Sequence, residues 1–164
     1  MKTCTSNNQH DQSPSVNIYA LPRFRVSLVR ENRAATPSMP ILTSVTAAAL
    51  LAPCFKGIDR EQFVICGLDT KHRIIGLNIV SVGSLTMSIV HPREVFKPLI
   101  LMNACAALCA HNHPSGDPDP SSEDRTLTAR LRQAGELLGI TLLDHIILGD
   151  DRTYSFADHS WPCA

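Results

Sequence analysis

The segment His111-Asn112-His113, followed by Ser121 and Asp124, holds the side chains of this chain best suited to hydrolytic chemistry. Two histidines spaced i, i+2 on a strand point to one side, about 6–7 Å apart along the backbone. At that spacing both imidazoles can close on one metal ion. Asp124 follows through Pro114-Ser115-Gly116-Asp117-Pro118-Asp119-Pro120, which is too rich in proline to continue a strand. Two imidazoles and a carboxylate leave a tetrahedral zinc one position for water, the open site of a hydrolytic centre. Ser121-x-x-Asp124 before an apolar run is also a helix N-cap pattern that needs no catalysis. The two readings are compatible, because a capped first turn aims Asp124. Ser121 could further donate a hydrogen bond to a developing oxyanion.

Such a centre needs a base. Zinc brings the pKa of its water down to about 7, and a carboxylate that takes and returns the proton typically adds ~10²–10⁴-fold. Glu61 and Glu94 are both candidates, and spacing does not choose between them. Glu61 opens a strand-like run, whereas Glu94 falls in a helix first turn that the dipole already explains. Glu123 points about 100° away from Asp124 on a helix and reads as solvated. Cys109 would share the strand face of His111; a small buried thiol explains it more simply than a thiolate ligand does. Asp144 and His145 either orient a ligand histidine or form a polar strand start. Asn112 should point away from the metal and bond within the loop.

These side chains need elements to position them. Gln62 to Asp69 is a mostly apolar run, as a central strand requires. A polar turn, Asp69 to His72, leads into a return strand, Arg73 to Val82. Thr86 to Val90 reads as another short extended stretch. Pro92 opens a helix expected to reach about Ala104, with a kink or late start at Pro98. Ala107 to His111 reads as a buried strand. Leu127, Leu131, Ala134 and Leu138 recur at helical spacing and predict a helix over 122–138, stopped by Gly139. Thr141 to Leu148 is a strand, Gly149 to Arg152 a turn, and Thr153 to Phe156 a last short strand. Upstream, Ser44 to Leu51 reads as a helix ending near Pro53, and Thr36 to Pro40 as a linker. Phe24, Val26 and Leu28 alternate with polar residues, which predicts a half-buried strand. Residues 1 to about 17 read as a polar, disordered tail. The fold class is mixed α/β, with strands and helices interleaved.

Composition sets outer limits. The 164 residues are enough for one domain with a tail. Fifteen basic residues balance fifteen acidic ones, for a net charge of zero. That argues against broad electrostatic capture of nucleic acid. Arg23, Arg25, Arg30 and Arg33 cluster, a pattern more often a solvated face than a binding patch. The six cysteines (Cys4, Cys54, Cys66, Cys105, Cys109, Cys163) are scattered without a CxxC, which predicts free thiols in a reducing cytoplasm. The first residues hold no apolar signal-peptide core, and no window is apolar enough to span a membrane.

His111-x-His113 followed by Ser121-x-x-Asp124 matches the H-x-H-x7-S-x-x-D signature of the JAMM/MPN metalloproteases. With His91-Pro92-Arg93-Glu94-Val95-Phe96, His111-Asn112-His113-Pro114-Ser115-Gly116-Asp117 and Asp144-His145-Ile146-Ile147, the chain resembles the RadC family of bacterial JAMM-fold proteins over roughly residues 43–156. It does not resemble the HNH nucleases, whose motif residues are separated along the chain. The resemblance implies a curved, mostly antiparallel sheet flanked by helices, in the JAMM/MPN (cytidine-deaminase-like) architecture. It divides the chain into a tail and linker over 1–40 and the domain over 41–164. It implies zinc (Zn2+) held by His111, His113 and Asp124, with Glu61 as the base and Ser121 beside them. The implied activity is hydrolysis of a peptide or isopeptide bond in a protein substrate. Full-length RadC proteins commonly carry an N-terminal helix-hairpin-helix extension, for which residues 1–40 are too short and polar. One rival is a DNA repair or recombination factor whose metal site is structural or vestigial. A catalytically silent scaffold is another, opposed by retention of every ligand position.

Overall fold

The structure, a computed structural model, describes residues 24–32, 37–83 and 90–162. The expected tail, the stretch 86–89, Cys4, Cys163, Arg23, Arg33 and Thr36 lie outside those residues. Among the described residues there are three α-helices and five strands, with the sheet order β2-β1-β3-β4-β5.

The three middle strands are buried, and this explains their composition. β1 (Gln62–Leu68) and β3 (Ala106–Asn112) are buried at every position, so no polar alternation appears in them. β1 pairs antiparallel with both β2 (Ile74–Val82) and β3. β3 and β4 (Thr141–Leu148) run parallel, which demands a crossover; α3 (Ser122–Leu138) supplies it. β5 (Thr153–Ser155) returns antiparallel on β4. The mixed, mostly antiparallel sheet flanked by helices agrees with the expected JAMM/MPN architecture.

Side chains from the two faces of the sheet enter different cores. Val64, Cys66, Leu68, Leu108 and Ala110 face α1 (Ser44–Leu51), which contributes Ala47, Ala48 and Leu51. Phe63, Ile65, Ala107 and Cys109 face α2 (Pro92–Leu101) and α3, packing against Val95, Phe96, Leu99 and Leu131. By strand alternation, Glu61, Phe63, Cys109 and His111 belong to this second face. It is the face on which the chemistry assembles.

Several boundaries follow directly from local chemistry. Pro92 is the first residue of α2, and His91 caps it by accepting from the Arg93 N–H at 3.1 Å. Gly139 closes α3 in the left-handed conformation, φ 69°, and Ile140 N–H bonds back to the Gly135 carbonyl at 2.9 Å. α1 ends at Leu51, followed by a 3-10 turn, Ala52–Phe55, that contains Pro53.

Two expectations need correction. Phe24, Val26 and Leu28 form no strand: residues 24–32 have no ladder, and these three side chains are exposed. Alternation creates a surface suited to a sheet, but a strand also needs a partner's N–H and C=O groups. α2 ends at Leu101 rather than near Ala104, because Asn103 adopts φ 54° and Ala104 N–H bonds to the Leu99 carbonyl. The helix continues across Pro98, which gives up only the hydrogen bond its missing N–H would make to the Glu94 carbonyl.

Candidate metal centre

His111 is the penultimate residue of β3, paired with Phe63 on β1 and Ile147 on β4. His113 lies just beyond the strand, its N–H bonded to the Leu148 carbonyl at 3.0 Å. Asp124 lies in the first turn of α3. A reciprocal capping box fixes that turn: Asp124 N–H donates to Ser121 Oγ at 3.1 Å, and Ser121 N–H donates to Asp124 Oδ2 at 2.8 Å. Such caps contribute about 1 kcal/mol to a helix. Ser121 Oγ–H also donates to Asp124 Oδ2, at 2.7 Å. This oxygen also faces His113, while Oδ1 faces His111.

The three groups converge. One ligand atom from each of His111, His113 and Asp124 lies within 4.8 Å of the others. His111 Nε2 is 3.0 Å from His113 Nε2 and 3.2 Å from Asp124 Oδ1, and His113 Nε2 is 3.4 Å from Asp124 Oδ2. Ligands about 2.0–2.1 Å from a tetrahedral zinc would be about 3.3 Å apart. Each of the three separations is close to that value, with His111 facing Oδ1 and His113 facing Oδ2 of Asp124.

Hydrogen bonding outside the cluster shows which nitrogens carry protons. His113 Nδ1 lies 2.7 Å from the Asp117 carbonyl. A carbonyl only accepts, so Nδ1 holds a hydrogen, and in the neutral ring Nε2 presents a lone pair. Fully buried His145 lies 2.8 Å from His111 Nδ1 through its Nε2, and Thr128 Oγ1 lies 2.6 Å from His145 Nδ1. Thus Nε2 of both histidines faces inward beside a carboxylate oxygen, an arrangement completed by a cation or a proton.

Electrostatics agree with this layout. Burial opposes the Asp124 carboxylate, but the hydrogen bonds that His111 and His113 donate when protonated, together with that of Ser121, outweigh it and hold its carboxyl far below the usual range. The hydrogen bond that protonated His113 donates to the Asp124 carboxylate raises the pKa of His113, against the effect of burial. Burial lowers the pKa of His145 well below that of a free imidazole, which keeps the ring neutral. Glu61 is half-buried; burial raises its carboxyl pKa, the fields of His111 and His113 oppose the rise, and that of Asp124 adds to it. His111, His113 and Asp124 thus all act electrostatically on Glu61.

The other candidates separate clearly from this cluster. Glu94 is on the surface, ion-paired with Lys97 at 2.6 Å and Arg93 at 3.3 Å, and Lys97 above all lowers its pKa. Glu123 is exposed and accepts from Ser122. Cys109 is fully buried, and burial raises its thiol pKa strongly, as expected of a core thiol. Cys54, Cys66, Cys105 and Cys109 are free. Asp144 accepts from Ser155 Oγ, the His145 N–H and the Ala157 N–H, and so clips β4 to the residues around β5.

Two residues carry more than sequence reasoning gave them. Asn112 is buried rather than bonded within its own loop: its Oδ1 accepts from Gln62 N–H at 2.9 Å and its Nδ2 donates to the Arg60 carbonyl at 3.0 Å. It therefore holds the peptide groups on both sides of Glu61, while Gly83 N–H bonds to the Glu61 carbonyl at 2.8 Å. Thr128 was not singled out at all. Its position four residues after Asp124, on the same face of α3, was the available signal.

The fold and site define a mixed α/β domain carrying a His-His-Asp group able to hold a metal ion. Comparison with known proteins is more specific. A family model described as RadC-like JAB domain matches residues 41–161, and the chain belongs to that family. It is similar to a UPF0758 protein of Shouchella clausii, 51% identical over 112 residues, covering 68% of this chain and 49% of the relative. A UPF0758 protein of Methanosarcina acetivorans is 43% identical over 144 residues, 88% of this chain and 61% of the relative. The chain thus spans about half to three-fifths of the length of these curated relatives. Family and site together fit a metal-dependent hydrolase. No helix among the described residues is long and apolar enough to cross a membrane.

Proposed function

We propose that the protein is a zinc-dependent hydrolase of peptide or isopeptide bonds. The observation that supports this reading best is the convergence of His111, His113 and Asp124, whose fields all act on the half-buried carboxylate of Glu61. His111, His113 and Asp124 would hold the ion, with Nδ1 of each histidine engaged on the outside. When bound, zinc acidifies a water and polarises a carbonyl oxygen.

Glu61 takes a proton from the attacking water as its oxygen bonds to the amide carbon, and returns that proton to the nitrogen as the C–N bond breaks. Burial favours a carboxyl that can both accept and release a proton. Asn112 keeps Glu61 at a fixed depth by holding the peptide groups on either side of it. Ser121 is the further donor to the developing oxyanion. Its hydroxyl can turn from Asp124 Oδ2 toward substrate because Ser121 N–H still holds that oxygen. A protein or peptide substrate follows from the chemistry.

The test combines metal analysis with a screen of peptide and isopeptide libraries. About one zinc per chain is expected, with cleavage that falls ~10²–10⁴-fold in Glu61→Gln at unchanged zinc content. Cleavage undiminished in that variant would move the base elsewhere. A zinc-free wild-type protein that instead bound single-stranded or branched DNA in a salt-sensitive manner would favour the repair-factor reading.

A further inference from the structure

His145 and Thr128 belong to no ligand set, yet both are completely buried against the metal centre. The ring of His145 is locked between Phe63, edge-on at 5.3 Å, and Phe156, stacked at 5.2 Å. Both ring nitrogens are engaged, Nε2 with His111 Nδ1 and Nδ1 with Thr128 Oγ1. Thr128 Oγ1 also lies 2.6 Å from the Asp124 main-chain carbonyl.

Counting protons along this chain gives it a direction. The Asp124 carbonyl cannot donate, so a 2.6 Å contact requires the single hydroxyl hydrogen of Thr128. Thr128 Oγ1 must then accept from His145, which places a hydrogen on His145 Nδ1. Enclosed between two phenyl rings, with a hydroxyl and a second imidazole as its hydrogen-bond partners, His145 is a neutral ring with no second hydrogen, so its Nε2 accepts from His111 Nδ1–H. With its hydrogen on Nδ1, His111 keeps a lone pair on Nε2, the atom facing His113 and Asp124. The reverse order would put a hydrogen on His111 Nε2 and block coordination. It would also leave two oxygens 2.6 Å apart with no proton between them.

We propose that Thr128 and His145 are positioning residues of the metal centre, a one-way hydrogen-bond relay from the Asp124 carbonyl that sets the His111 tautomer for metal binding. The relay also joins two ligands through the protein interior, since it starts at the main chain of Asp124 and ends on the ring of His111. The proposal rests on the metal-centre reading and is independent of which bond is cleaved. Groups that orient a ligand histidine from outside typically change metal affinity about 10–100-fold when removed.

The test uses the full chain with zinc as the probe, measured by chelator competition. Thr128→Val keeps the shape and removes the hydroxyl, and Thr128→Ser restores it. Zinc affinity should fall about 10–100-fold in Thr128→Val and recover in Thr128→Ser, with the far-UV circular dichroism of the zinc-free protein unchanged. Two-bond 1H–15N correlation spectra of the zinc-free wild type should show the hydrogen on Nδ1 of both His111 and His145. This reading needs no variant and survives a Thr128→Val that fails to fold. A folded Thr128→Val with wild-type affinity, or a His111 hydrogen on Nε2 in the wild type, overturns the relay while leaving the metal centre standing. A wild type that binds no zinc overturns both.

Discussion

His111 and His113 are two residues apart, yet different parts of the molecule hold them. His111 lies in the core, 1% exposed, on a strand with neighbours on both sides, and its outer nitrogen is held by a buried side chain. His113 is partly exposed on a loop, and its outer nitrogen is held by the carbonyl of Asp117 within that loop. The loop is shaped by a turn from His113 to Gly116 and clipped to the β4–β5 turn through Asp150 N–H, 3.0 Å from the Gly116 carbonyl. The fold therefore fixes one histidine by core packing and the other by loop conformation. Core packing is stiff because a shifted side chain disturbs close-packed neighbours. A loop can adjust, so the His113 side of the group is the more adaptable one.

Asp124 is common to both regions, so its loss breaks the comparison most completely. Asp124→Ala should abolish most zinc binding; metal analysis showing full zinc would remove it from the ligand set. Gly116→Ala probes the loop alone. Gly116 has φ 80°, and a β-carbon there would collide with the Asp150 carboxylate. We expect a stability loss of about 1–3 kcal/mol in denaturant melts. Zinc affinity should fall by less than in Thr128→Val, because His111 is untouched; a larger fall would make the loop the stiffer holder. The smallest effect is expected in the core beside His111. Cys109→Ser should leave zinc content unchanged, and a clear loss would make the thiol a ligand.

How much of this was legible in the sequence depended on how local each cause is. Pro92, Gly139 and the Ser121–Asp124 box act within one helical turn, and the structure shows each where its chemistry places it. β1 and β3 were legible because burial on both faces leaves near-continuous apolar runs. The alternation at Phe24, Val26 and Leu28 misled because strand formation depends on a partner the pattern does not encode. The reach of Asn112 to Arg60 and Gln62 requires β1 and β3 to be neighbours. Thr128 meets His145 only because α3 brings β4 back parallel to β3. Contacts between segments distant in sequence depend on topology, which local periodicity does not report.

The central claim is that the inward-facing atoms of two histidines and one aspartate surround a single ion. X-ray absorption at the zinc edge on the purified, zinc-loaded protein measures this most directly. The account predicts nitrogen and oxygen scatterers at about 2.0–2.1 Å, including two imidazole rings. A sulfur scatterer at about 2.3 Å, or a spectrum without the imidazole signature, would contradict it.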